Sequence, residues 1–132
     1  MNKFKNITEL IIRLIIKKEG KVLLCRNKKM GHYFLPGGHV EFGDTLRETI
    51  YKEMNEELGL KENNIVNISF EKYLENSYLD KDEKHCELNM IFEAELRDEI
   101  EIKSREDHID FEWLDINETS DINLLPKGIF TP

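Results

Sequence analysis

The chain has 132 residues, 39% of them hydrophobic and 35% charged, with 27 acidic against 19 basic side chains and a net charge of −8. That length and balance predict one globular domain over residues 1–132, large enough to fold around its own core without disulfide staples. The acidic surplus argues against partners that are themselves polyanions, nucleic acid or an anionic membrane, but admits a phosphorylated small molecule wherever a cation neutralises the site.

Leu10 to Ile16 is apolar but short and is interrupted by Arg13. It is therefore expected to be a buried strand and not a membrane span. No secretory leader is apparent, and Cys25 and Cys86 lie far apart in apolar stretches with no second thiol nearby. They are expected to be buried thiols, and the protein to be cytoplasmic.

Taken in chain order, Thr8 to Ile16 and Lys21 to Arg26 read as the two strands of a hairpin, turned by the segment ending at Gly20 and covered on both faces. Asn27 to His32 reads as a loop, and Tyr33 to Leu35 leads into Pro36-Gly37-Gly38, a strand terminator and glycine loop. A helix follows over Asp44 to Leu58. Thr45 and Glu48 have capping-box spacing, Leu46, Ile50, Met54 and Leu58 recur every four residues, and Gly59 is placed to end the helix in the left-handed conformation. Ile65 to Leu74 and Cys86 to Leu96 read as strands joined by a charged connection from Asn76 to Lys84. Arg97 to Asp107 is an acidic loop, Phe111 to Leu114 a last short strand, and the segment from Asn117 onward a short helix. Strands on both sides of one long helix predict a mixed α/β fold.

The helix carries Glu53, Glu56 and Glu57 within one arc of its surface, beside the apolar stripe. Like charges three or four residues apart on a helix destabilise it by about 0.2–0.5 kcal/mol per pair. A solvated acidic face is one explanation. A hard divalent cation, Mg²⁺ or Mn²⁺, held by carboxylates and by the phosphates of a ligand, is another. The glycines ahead of the helix favour the second, because without a Cβ the backbone can come close to a ligand.

From Gly38 to Leu60 the sequence resembles the Nudix box of the Nudix (MutT-like) hydrolases: Gly38, Glu53, Met54, Glu56, Glu57, Gly59 and Leu60 stand at the family spacing. Two positions depart from it, Asp44 where the box has Glu and Lys52 where it has Arg. We expect these two to form a substitute ion pair, one that orients Glu53 less firmly than a planar guanidinium would. The resemblance implies an α/β/α sandwich with a mixed central sheet. It also implies metal-dependent hydrolysis of a nucleoside diphosphate linked to another moiety. The metal would be Mg²⁺ or Mn²⁺ on Glu53, Glu56, Glu57 and the Gly38 carbonyl, with Lys52 supporting catalysis. Glu53 is one candidate general base; Asp98 and Glu99 on a downstream loop are others, with Glu93 and Glu95 behind them.

Gly37, Gly38, Arg26, Phe34 and Asn89 are the expected substrate contacts, with Lys28, Lys29, Tyr33, Glu87 and Trp113 as weaker candidates. The histidines receive no role. A nucleoside triphosphate, oxidised or not, cleaved to the monophosphate is the leading substrate. ADP-ribose or a nucleotide sugar is the alternative, and a non-catalytic nucleotide sensor is a further one. A simple acidic metal buffer fits less well. Oligomeric state is left open, a homodimer included.

Overall fold

The computed structural model describes residues 5–97, 100–102 and 109–130. Eight strands and one α-helix appear among them: β1 (Lys5–Lys18), β2 (Lys21–Asn27), β3 (Tyr33–Phe34), β4 (Gly37–His39), α1 (Leu46–Leu58), β5 (Ile65–Asp80), β6 (Glu83–Leu96), β7 (Ile109–Asp115) and β8 (Leu124–Leu125). Short 3-10 turns cover Glu62–Asn64 and Ile116–Asp121.

The strands form one mixed sheet in the order β5-β6-β1-β2-β3-β8, with β4 alongside β1 and β7 alongside β2. β1 runs parallel to β6 from Lys5 to Ile16. Its other edge is shared. Residues Ile11, Ile12 and Arg13 pair antiparallel with β4, whereas Lys17 and Lys18 pair antiparallel with β2. The sheet therefore divides along β1, and β4 brings the two glycines to the point of division.

Alternation along β1 explains the layers, because successive side chains point to opposite faces. Ile12, Leu14 and Ile16 pack with Ile50, Met54 and Leu58 of α1. Ile15 lies on the opposite face with Val22, Leu24, Leu35 and Ile91, where Ile116, Ile122 and Phe130 from the C-terminal segment cover the cluster. A helix thus closes one face and the 3-10 segment with its following chain closes the other. The predicted α/β class and mixed central sheet are what the chain adopts.

The helix stripe is buried as its spacing requires: Ile50, Met54 and Leu58 are at most 2% exposed. The Thr45 hydroxyl accepts from the Glu48 N–H at 3.1 Å, and Gly59 adopts φ 70°, ψ 19° as the left-handed cap. Two expectations are corrected. Asn76 to Lys84 is not a connection, since β5 and β6 continue as paired strands from Asp80 and Glu83 around a turn at Lys81 and Asp82. Polar side chains on an outer sheet face hide strand character from a hydrophobicity pattern. Gly37 and Gly38 do not form a loop after the strand; they are β4 itself, paired with Arg13 and Ile12.

Candidate active site

The site begins with the two glycines. A Cβ at Gly37 would run into the backbone carbonyl of Ile12, and one at Gly38 would stand 2.5 Å from both Cδ and Oε1 of Glu53. Strand packing demands glycine at Gly37, whereas at Gly38 a Cβ would displace the Glu53 carboxylate. The Gly37 N–H also donates to Glu57 Oε2 at 3.3 Å. Two glutamates one helical turn apart on α1 are thereby laid against two consecutive residues of β4. Glu53 and Glu57 are half-buried, and Glu56 is exposed on the outer side of the same turn.

The three carboxylates do not converge on one point. Among the described residues, the group whose ligand atoms all lie within 4.8 Å of one another is Asp80, Glu83 and His85. It sits at the tip of the β5–β6 hairpin and includes His85, one of the histidines assigned no role above. Glu53, Glu56 and Glu57 do not form such a group. Their donor set is nonetheless suited to a hard divalent cation: carboxylate oxygens half-sheltered beside a backbone that carries no Cβ.

A cleft of about 520 Å³ opens at Arg13, the β1 partner of Gly37. Phe34, Glu87 and Asn89 line it, together with Arg13, His32 and Glu75, and Leu125, Pro126 and Lys127 border it. Asn89 is 2% exposed and its Nδ2 donates to the Leu74 carbonyl at 3.4 Å. Asn76 donates to Glu87 Oε1 at 2.9 Å, fixing that carboxylate at the cleft. Phe34 and Asn89 thus line one cleft, whereas Gly37 and Gly38 meet the helix glutamates and are not among its lining residues.

Arg26 does not line the cleft. It is exposed near the end of β2, its guanidinium carbon 6.0 Å from the Tyr33 ring centroid. Tyr33 in turn donates to Glu112 Oε2 at 2.9 Å. That hydrogen bond holds the phenol above the ordinary tyrosine range. Lys28 pairs with Asp110 at 3.5 Å, and Trp113 packs against the helix-side core.

Lys52 does not pair with Asp44. Its Nζ lies 3.4 Å from Glu41 Oε2, both side chains well exposed, and Glu41 is the main reason its pKa is raised. Of the candidate bases, Glu93 pairs with Lys17 at 3.5 Å and Glu95 is exposed; neither lines the cleft. Asp98 and Glu99 lie outside the described residues.

Arg13 is the residue that sequence reasoning missed. It interrupts an apolar run, which disqualified a membrane span, but an arginine flanked by isoleucine and leucine in a buried strand is itself a signal that an anion is near. Burial lowers its pKa, and the carboxylates of Glu57, Glu87 and Glu53 oppose that shift.

A family model described as a NUDIX domain matches residues 10–130. The ADP-ribose pyrophosphatase of Methanocaldococcus jannaschii is 45% identical over 49 residues, 35% of this chain and 29% of that protein. The 8-oxo-dGDP phosphatase of Homo sapiens is 32% identical over 59 residues, 42% of this chain and 18% of that protein. The matched stretch spans less than a third of either relative. Among known structures, a MutT NUDIX hydrolase from Burkholderia pseudomallei superposes with a TM-score of 0.71 at 18% identity, over 84% of this chain and 85% of that one. A MutT protein from Bacillus halodurans gives 0.72 at 21%, over 88% and 74%. At these identities the structural likeness is one of fold.

Proposed function

This chain belongs to the NUDIX family, and from that premise we propose that it is a Mg²⁺- or Mn²⁺-dependent pyrophosphohydrolase acting on a nucleoside diphosphate linked to another moiety. The observation that carries the proposal is the seating of Glu53 and Glu57 of α1 against Gly38 and Gly37, with Arg13, the β1 partner of Gly37, in the cleft wall. Glu53, Glu56 and Glu57, with the Gly38 carbonyl, are the residues that would hold the metal. A divalent ion there neutralises a diphosphate and lowers the pKa of an attacking water.

The chain's own residues supply the rest. Gly37 and Gly38 let a phosphate approach the backbone. The Gly37 N–H orients Glu57, and the contact with Gly38 orients Glu53, which we take as the residue that accepts a proton from the water. Phe34 offers a ring face to a base, and buried Asn89 and the fixed Glu87 offer polar edges deeper in the cleft. Lys52, paired to exposed Glu41, has no direct part.

We take a nucleoside triphosphate, oxidised or not, as the leading substrate, cleaved to the monophosphate and pyrophosphate in the cytoplasm. ADP-ribose is the second reading, favoured by the 49-residue match to a protein named for that activity. A substrate panel with Mg²⁺ or Mn²⁺ separates the two. Release of pyrophosphate from triphosphates supports the first, and AMP with ribose 5-phosphate from ADP-ribose supports the second. Hydrolysis of neither, nor of a nucleotide sugar, contradicts both.

A further inference from the structure

We infer that Arg13 forms an oxyanion subsite of the cleft, receiving a phosphoryl oxygen of the substrate next to the carboxylates of Glu53 and Glu57; this rests on the hydrolytic function proposed above. Arg13 stands in the middle of β1, where the sheet divides, with Gly37 as its partner on one side and Ile91 on the other. Strand alternation sets it on the same sheet face as Ile15, away from the body of α1 and toward the cleft, which it lines.

Its donors are incompletely used. Nη1 donates to the Leu35 carbonyl at 3.2 Å, while Nε is shut off from solvent and has no hydrogen-bond partner among the described residues. An unsatisfied buried donor on a cation is costly, so such a group signals a missing acceptor. The guanidinium carbon lies 5.9 Å from the centroid of the Phe34 ring, which also lines the cleft, an arrangement that limits the guanidinium's freedom. A planar guanidinium held in this way suits the paired oxygens of a phosphate better than it suits an isolated carbonyl.

The surrounding charges give the subsite its logic. Glu57, Glu87 and Glu53 are the carboxylates that favour the charged guanidinium, in that order. Two of the three are proposed metal ligands. Once a divalent ion takes up their charge, the cation of Arg13 is less compensated and attracts an anion entering the cleft. Arginine keeps its proton throughout, so the attraction needs no titration step.

The test compares the wild type with Arg13→Gln and Arg13→Lys. Calorimetry measures binding of Mn²⁺ alone, then of α,β-methylene-ADP at saturating Mn²⁺, and steady-state hydrolysis gives KM and kcat. Arg13→Gln is expected to weaken the analogue at least tenfold and raise KM in parallel, with Mn²⁺ affinity within twofold of wild type. Arg13→Lys is expected to recover part of the loss. Equal analogue binding by the wild type and Arg13→Gln overturns the inference. So does a loss of Mn²⁺ affinity as large as the loss of analogue, which would make Arg13 a support for the carboxylates only. If Arg13→Gln does not fold, Arg13→Lys decides, with at least threefold weaker analogue binding expected and unchanged binding overturning the subsite. A wild-type protein that binds the analogue in an Arg13-dependent way yet hydrolyses no phosphoanhydride refutes the hydrolytic reading and upholds the subsite.

Discussion

The carboxylate of Glu53 occupies the space that a side chain on Gly38 would fill: a Cβ there would stand 2.5 Å from Glu53 Oε1. At Gly37 the obstacle is the backbone of Ile12 instead of the end of a flexible side chain. Alanine at the two positions should therefore fail in different ways. Gly38→Ala displaces the carboxylate, and turnover falls by about tenfold or more because misplacing a reacting group by an ångström is that costly, with a stability loss near 1 kcal/mol. Gly37→Ala forces β4 from β1 and destabilises by about 3 kcal/mol or more, the upper end for overpacking. Urea titrations beside hydrolysis assays check both; a similar stability loss in the two variants would contradict the distinction.

Lys52 provides a second contrast. Because it reaches exposed Glu41 and not Asp44, it does not brace the catalytic face of the helix. Lys52→Arg is expected to change neither Mn²⁺ affinity nor kcat by more than about twofold, since an exposed ion pair contributes little. A large gain on restoring arginine would mean that the planar fork finds a partner that lysine cannot reach.

The helix is anchored by its apolar stripe, and Met54 lies at its centre with no exposed surface. Met54→Ala should cost about 2–5 kcal/mol in chemical denaturation. It should also weaken Mn²⁺ binding by the remaining folded fraction, since Glu53 and Glu57 ride on the same turns.

The Tyr33–Glu112 hydrogen bond has a pH signature away from the cleft. The folded phenol is raised above its unfolded value, so the contribution of the pair is fully present below the unfolded pKa and is lost as pH rises through the folded one. Ultraviolet titration should show Tyr33 and Tyr78 ionising late in the wild type, and one of the two ionising earlier in Glu112→Gln. The difference in thermal midpoint between the two proteins should vanish in strong alkali.

Much of this arrangement was legible in the residues. The four-residue spacing from Leu46 to Leu58, the Thr45–Glu48 cap and Gly59 fixed the helix because local chemistry decides such features. The crowded glutamates and the flanking glycines pointed to the site because each is locally unfavourable unless something compensates it. What could not be read was long-range pairing. Gly37 and Gly38 become a strand because β1 offers a free edge at Ile11 to Arg13. Lys52 meets Glu41 because of how the chain enters the helix, and Arg26 meets Tyr33 because β3 pairs with the end of β2. Arg13 reaches the glutamates only once β1, β4 and α1 are assembled.

The most direct test is hydrolysis of a nucleoside triphosphate and of ADP-ribose in Mg²⁺ or Mn²⁺ by the wild type and by Glu57→Gln. Metal-dependent cleavage of at least one by the wild type is predicted, with a fall of at least about 100-fold in Glu57→Gln at an unchanged thermal midpoint. Full activity in Glu57→Gln, or a wild type that cleaves no phosphoanhydride bond with either metal, contradicts it.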